Sequence, residues 1–191
     1  MVKLTTHQEI CRHFSGLLSY PDERVADRTV RCLAKVEAVN REASSPLERF
    51  LAFIESNELA RIEEAFTGTF DLQALCHPYV GYQLCGESQQ RTMFMIKLRE
   101  LYRQFEFAAG NELPDHLTEV LRFIGLISDT DCRNEIIQDG LLPALDKLIQ
   151  GIENEDNPYL ALLFSLQCFL SEGTAPDSER LSTEQQEEYS S

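Results

Sequence analysis

The apolar residues of this chain recur at intervals of three and four along most of its length, which is the period of an α-helix. Ile10, Phe14 and Leu17 show this spacing first, and Pro21 ends it. No stretch alternates apolar and polar residues as a half-buried strand would. The sequence therefore predicts an all-α fold, a single-domain bundle of roughly eight or nine helices. A chain of 191 residues suits one well-buried domain, which we place at residues 1–170.

Local cap signals predict where several helices begin. Thr6 followed by Glu9 is typical of a capping box for the first helix. Ser45 is the predicted cap of another helix, with Pro46 at its first position and Glu48 completing the box. The periodicity predicts further helices at about 23–39, 59–66, 88–107, 117–127, 132–152 (with a break at "DGLLP") and 158–170.

The segment between the helices predicted at 59–66 and 88–107 mixes aromatic residues, glycine and proline in a way that no single helix explains. Phe66, Phe70, Tyr79 and Tyr82 are compatible with a plain core, the usual place for aromatic side chains. Asp71 in the same segment favours a groove, because aromatic walls with a few acids suit an apolar peptide with a basic end. Both interpretations are open at this point.

The stretch "NELPDHLTEVLRFIG" raises a similar choice. One interpretation is a helix start, with Pro114 at the first helical position and Asp115 at the positive end of the helix dipole. The other is a binding hinge, in which His116 is kept neutral by the dipole and hydrogen-bonds a ligand.

The charge of the chain limits its partners. Its formal net charge is −15, with 17 basic residues scattered among 32 acids, so nucleic acid is excluded and a cationic partner is favoured. Residues 171–191 carry six carboxylates and one arginine and few apolar side chains, which predicts a disordered acidic tail.

The sequence also indicates a compartment. No apolar run approaches the ~20 residues needed to span a bilayer, and the N-terminus lacks the apolar core of a signal peptide. The six cysteines are widely spread and most lie in apolar-patterned segments, as reduced, buried thiols would. We therefore predict a cytoplasmic protein without stable membrane association.

The search for a reaction centre finds no complete set of groups. His7 and Cys11 lie four apart, but a zinc site usually needs three or four ligands at recognisable spacing. Cys76 beside His77 has no evident oxyanion device, and no glycine-rich phosphate loop is present. The prediction is a protein that is not an enzyme, with no catalytic residue, no metal ligand and no cofactor.

A set of segments resembles one known family when taken together and in order. They are "LLSYPDE" (17–23), "FTGTFDL" (66–72), "GYQLCGESQQR" (81–91), "LRELYRQFEF" (98–107) and "ELPDHLTEVLRFI" (112–124). They resemble the NarJ branch of the molybdoenzyme-specific chaperones, which includes the nitrate reductase delta subunit and has TorD and DmsD as relatives. Family members commonly have other residues at Cys85, Thr92 and Met93, which implies a somewhat different client.

The resemblance implies an all-helical cytoplasmic chaperone of the TorD/NarJ type. Its partner is the apo catalytic (alpha) subunit of a molybdoenzyme, foremost the nitrate reductase of anaerobic respiration and nitrate assimilation. The chaperone binds the twin-arginine-like N-terminal peptide and holds the unfolded subunit competent for insertion of iron–sulfur clusters and molybdenum cofactor. The cofactor-insertion machinery is a further implied partner. We expect a monomer, with a helix-swapped dimer as the alternative.

The resemblance and the residue types together predict a peptide-binding site. Asp71 and Asp115 are expected to meet the cationic end of the peptide, and Leu75, Tyr79 and Tyr82 its apolar part. The full predicted set is Phe70, Asp71, Leu75, Tyr79, Tyr82, Glu112, Pro114, Asp115 and His116. The rival functions are a chaperone for another type II, DMSO reductase-like molybdoenzyme, an adaptor subunit kept in the mature complex, and a helical hydrolase or transferase using His116 with Asp115.

Overall fold

The computed structural model describes residues 4–72 and 76–173, and within them every regular element is a helix. The elements are α1 (Thr6–Leu17), α2 (Val25–Glu37), α3 (Arg41–Ser56), α4 (Leu59–Phe70), α5 (Val80–Cys85), α6 (Gln89–Gln104), α7 (Leu117–Ile124), α8 (Thr130–Glu135), a π-helical turn (Ile136–Leu141), α9 (Leu142–Gly151) and α10 (Pro158–Gly173). Since α8, the π turn and α9 are continuous, the described residues form nine helical stretches, which confirms the predicted all-α bundle.

The helices pack around one core. α10 lies against α3, α4 and α9, while α1 lies against α2 and α7. Buried hydroxyls fix two of these pairs: the Ser165 hydroxyl donates to the Ala43 carbonyl (2.6 Å), and the Ser15 hydroxyl donates to the Thr118 carbonyl (3.0 Å). The second bond anchors the start of α7 to α1.

The predicted helix starts were partly wrong. The capping box of α1 uses Thr5 with Gln8 rather than Thr6 with Glu9. α3 begins upstream of the predicted cap: Asn40 accepts from the Ala43 amide (2.7 Å), and Pro46 lies inside the helix. Burial explains the second error, since Ala43 is fully buried against α10 and this contact stabilises helix before the proline.

Four further features of the helices differ from the prediction. α4 continues to Phe70, and α5 forms within the stretch expected to be irregular. The break expected at "DGLLP" is a π turn, in which Gly140 and Leu141 are buried. α10 runs to Gly173, so residues 174–191, most of the predicted tail, lie outside the described residues. No helix in the described part of the chain is long and apolar enough to cross a membrane.

Candidate functional site

A groove of about 650 Å³ opens between the end of α1, the end of α4, α5, the start of α6 and the segment before α7. It brings together residues that the sequence predicted from two separate stretches. Of the predicted set, the groove is lined by Phe70, Asp71, Tyr79, Tyr82, Glu112 and His116. Pro114 and Asp115 are buried and are not among the lining residues, and Leu75 lies outside the described residues.

Backbone pairing joins the two stretches. Residues 78–80 and 115–117 run antiparallel, with a single bridge between Tyr79 and His116. The Val80 amide donates to the Asp115 carbonyl (2.7 Å), and the Leu117 amide donates to the Pro78 carbonyl (2.7 Å). The wall carrying the tyrosines is thereby fixed to the segment that begins α7.

His116, and not Pro114, marks the start of α7. Its Nδ1 accepts from the Thr118 amide (3.3 Å), which makes the imidazole the N-cap of the helix. The prediction that Pro114 occupies the first helical position was therefore wrong; its carbonyl instead accepts from the buried Tyr102 hydroxyl (2.7 Å). An Nδ1 that accepts leaves the proton of the neutral ring on Nε2.

The surroundings of His116 favour its neutral form. Burial lowers the pKa of the imidazole and outweighs the opposite effect of Glu112, Glu119 and Asp115. The Tyr79 ring meets the imidazole edge-on at 5.1 Å. Burial and the nearby Glu112 raise the pKa of Tyr79, so this groove wall presents an uncharged phenol.

We expect His116 to make the fold less stable in acid. Because its pKa is lower in the folded than in the unfolded chain, the unfolded state binds more protons below about pH 6.5, and the free energy of unfolding falls as the pH drops. Urea unfolding measured from about pH 7.5 to about pH 5.5 should show this loss, and His116→Asn, which retains a capping side chain, should reduce it.

His13 needs a separate control, because burial also lowers its pKa, with Lys35 adding to the effect. His13→Gln removes that contribution alone. An unchanged acid slope in the His116→Asn variant would contradict the prediction.

Behind the tyrosine wall lies a buried ion pair that the sequence did not predict. The Arg91 Nε donates to the Asp115 Oδ2 (2.8 Å), and the Arg91 Nη1 contacts Glu87. Asp115 is fully buried, and the Arg91 side chain is 8% exposed. In this conformation Asp115 cannot reach a peptide directly, so the expectation that it meets the cationic end of the client is corrected: its carboxylate neutralises Arg91.

The guanidinium group also faces aromatic rings. Its carbon lies 5.2 Å from the centroid of the Tyr79 ring and 5.6 Å from that of Tyr82. Sequence reasoning missed Arg91 because its partner Asp115 lies 24 positions away in another element. The only available signal was the position of Arg91 at the end of the segment "GYQLCGESQQR".

The groove is negative and its mouth is partly apolar. Asp71, Glu87 and Glu112 are exposed on its lining, against the single guanidinium of Arg91. Tyr20 lies at the mouth, 56% exposed, and its ring packs edge-on against Phe66. Such a surface attracts cations and offers aromatic area to an apolar ligand.

The other residue pairs considered from the sequence form no reaction centre. Among residues 4–72 and 76–173, no group of three or more His, Cys, Asp and Glu side chains is placed to hold a metal ion. His7 Nδ1 does meet Cys11 Sγ at 3.6 Å, but burial raises the pKa of that thiol to about 12. Burial likewise raises the pKa of Cys76. Both thiols remain protonated near neutral pH and are poor nucleophiles.

The described residues form a helical fold with an acidic, aromatic-lined cleft, and comparison with known proteins identifies the class more closely. The chain matches the family model of the nitrate reductase delta subunit over residues 35–165. It is 29% identical over 158 residues to a Bacillus subtilis (strain 168) protein named as the probable nitrate reductase molybdenum cofactor assembly chaperone NarJ; the alignment covers 82% of this chain and 85% of that protein.

The fold is also similar to a crystal structure from Archaeoglobus fulgidus, of a protein provisionally assigned as a redox enzyme maturation protein. The TM-score is 0.57 at 20% identity, and the match covers 90% of this chain and 97% of that one.

Since the family model spans well over half of the sequence, the chain belongs to the nitrate reductase delta subunit family. The resemblance found in the sequence is thereby confirmed. The Bacillus relative is named as an assembly chaperone, which agrees with the prediction that this chain is not an enzyme.

Proposed function

We propose that this protein is an assembly chaperone for the catalytic subunit of a molybdoenzyme, foremost nitrate reductase. It binds the basic, twin-arginine-like N-terminus of the apo subunit and holds that subunit competent for insertion of molybdenum cofactor and iron–sulfur clusters. The observation that carries the proposal is the acidic aromatic groove, which lies mostly within the residues matched by the family model.

The chemistry of the groove suits such a peptide. Tyr79 and Tyr82 offer apolar wall to a short hydrophobic segment beside Phe70, which lines the groove but is almost fully buried. Asp71 and Glu112 lie exposed on the lining for the cationic end. A volume of about 650 Å³ holds a few side chains rather than a folded partner. From the sequence alone we propose that Leu75 also contacts the apolar part of the peptide. His116 offers its Nε2 proton to a peptide carbonyl.

The proposal also covers where, and in which state, the chaperone acts. The chaperone acts in the cytoplasm as a monomer, meets the cofactor-insertion machinery while the client is still open, and leaves before the enzyme is complete. The acidic net charge of the chain adds long-range attraction for a basic peptide and speeds encounter at low salt.

Calorimetric titration with a synthetic peptide tests the proposal. The peptide copies the N-terminus of the nitrate reductase catalytic subunit, and its control has every basic residue replaced by glutamate. We expect saturable binding of the first peptide only. Asp71→Asn with Glu112→Gln should weaken it by roughly 3–10-fold at low salt and flatten the salt dependence.

The matched control neutralises two exposed acids away from the groove, Asp27→Asn with Glu55→Gln. It removes the same net charge and should leave the affinity nearly unchanged. Equal binding of both peptides would refute the charge-based part of the proposal. Stable co-purification with the active, cofactor-loaded enzyme would instead indicate an adaptor subunit, and binding only to peptides from other molybdoenzymes would reassign the client.

A further inference from the structure

We propose that Arg91 is the positioning residue of the groove: it fills a guanidinium-shaped cage and thereby sets the wall that the client peptide meets. Four side chains enclose it. Tyr79 and Tyr82 face the guanidinium carbon at 5.2 and 5.6 Å, Asp115 accepts from Nε at 2.8 Å, and Glu87 contacts Nη1. The effect on client binding rests on the proposed function, whereas the cage itself does not.

The cage fits a guanidinium and not merely a positive charge. Its acceptors meet different nitrogens of the same planar group, since Asp115 bonds Nε and also lies 3.5 Å from Nη2 while Glu87 meets Nη1. Aromatic faces stack on a planar guanidinium, whereas a lysine ammonium is a compact, strongly hydrated point charge. Lysine at this position would therefore retain the charge and lose the arrangement.

Gly81 leaves space for the cage because it has no side chain. A Cβ at Gly81 would come within 2.9 Å of Asp115 Oδ2, 2.9 Å of Phe94 Cδ1 and 3.2 Å of Arg91 Cγ. Gly81 lies in α5 between the two tyrosine positions, so the absence of its side chain lets α5 approach the ion pair closely.

The cage connects the walls of the groove. Tyr79 also meets His116 edge-on, and Tyr82 meets His77 at 5.8 Å, so both rings contact Arg91 and a lining histidine. Removing the guanidinium would take its contact away from both rings and leave the Asp115 charge buried without its partner. That change would alter both the shape of the wall and the charge beneath it.

The test compares Arg91→Lys and Arg91→Ala with the wild type. Without any client, NMR measures the environment of the tyrosine rings and thermal unfolding measures the stability that the cage provides. With the client peptide, calorimetry measures the affinity of the groove. We expect Arg91→Lys to shift the Tyr79 and Tyr82 ring signals and to weaken peptide binding by about tenfold or more, although the charge is conserved. Methylguanidinium should partly restore the ring signals and the melting temperature of Arg91→Ala, whereas methylammonium at the same concentration should not.

Arg61→Met is the matched control, because Arg61 forms an exposed ion pair with Glu64 away from the groove. If Arg91→Ala does not fold, Arg91→Met with Asp115→Asn replaces the buried charges with neutral groups, and it should fold with shifted ring signals and weakened peptide binding. Wild-type ring signals and affinity in Arg91→Lys or in this double variant would overturn the inference, as would equal rescue by methylammonium. If the wild type binds no peptide, the proposed function fails. The ring signals and the guanidinium rescue still test whether Arg91 holds the two tyrosine rings in place.

Discussion

Asp115→Ala is expected to lower the free energy of unfolding by about 3 kcal/mol, an effect far larger than a surface binding residue would give. The substitution leaves the guanidinium of Arg91 almost fully buried without its main acceptor. Breaking a buried pair usually costs about 3–5 kcal/mol, and the lower end applies because Glu87 still contacts Nη1. Urea unfolding followed by circular dichroism measures the change.

The matched control removes both charges. Arg91→Met with Asp115→Ala should recover a large part of the lost stability, since no unpaired charge is then buried. A single Asp115→Ala variant as stable as the wild type would show that the pair contributes little. Recovery in the double variant, in contrast, would establish that Asp115 acts through Arg91.

This prediction revises the choice that the sequence left open between a helix start and a binding hinge. The sequence placed Asp115 either at the helix dipole or against the client, and the second role required it to be accessible. The structure gives the capping role to His116 and buries the aspartate against Arg91. Alanine at Asp115 therefore tests stability first, and groove chemistry is better tested at Asp71 and Glu112, which lie exposed on the lining.

Periodicity predicted the fold well because each helix buries one apolar face, and this information is local in the sequence. The helix starts were harder. Asn40 and not Ser45 caps α3, because the buried contact between Ala43 and α10 extends the helix past the local signal at Pro46. Tertiary packing of this kind overrides cap preferences worth about 1 kcal/mol.

The site residues also fall into those with a local signal in the sequence and those without one. In the irregular segment the acid Asp71 beside aromatic residues favoured a groove wall over a plain core, and this indicated the lining at Tyr79, Tyr82 and Asp71. The pairing of residues 78–80 with 115–117 is a long-range contact without a local signal. The ion pair of Arg91 depends on that pairing, so it emerges only when the two segments are placed together.

Gly81→Ala is expected to destabilise the fold by about 1–3 kcal/mol, the opposite of what alanine normally does in a helix. The added methyl group would lie 2.9 Å from both Asp115 Oδ2 and Phe94 Cδ1. The carboxylate is held by its bond to Arg91 and has little freedom to move, so the ion pair must shift. Because this displaces the tyrosine wall, peptide binding should weaken in calorimetry although Gly81 does not line the groove.

Gly68→Ala provides the matched control within the same chain. Gly68 also lies inside a helix, α4, and a Cβ there would meet no heavy atom within 4 Å apart from its chain neighbours and the nearby backbone of its own helix. Alanine at that position should therefore stabilise the protein by roughly 0.5–1 kcal/mol through helix propensity alone. If the two substitutions shift the urea midpoint in the same direction, close packing is not the reason why position 81 requires glycine. If they shift it in opposite directions and only Gly81→Ala weakens peptide binding, the space beside Arg91 is a requirement of the groove.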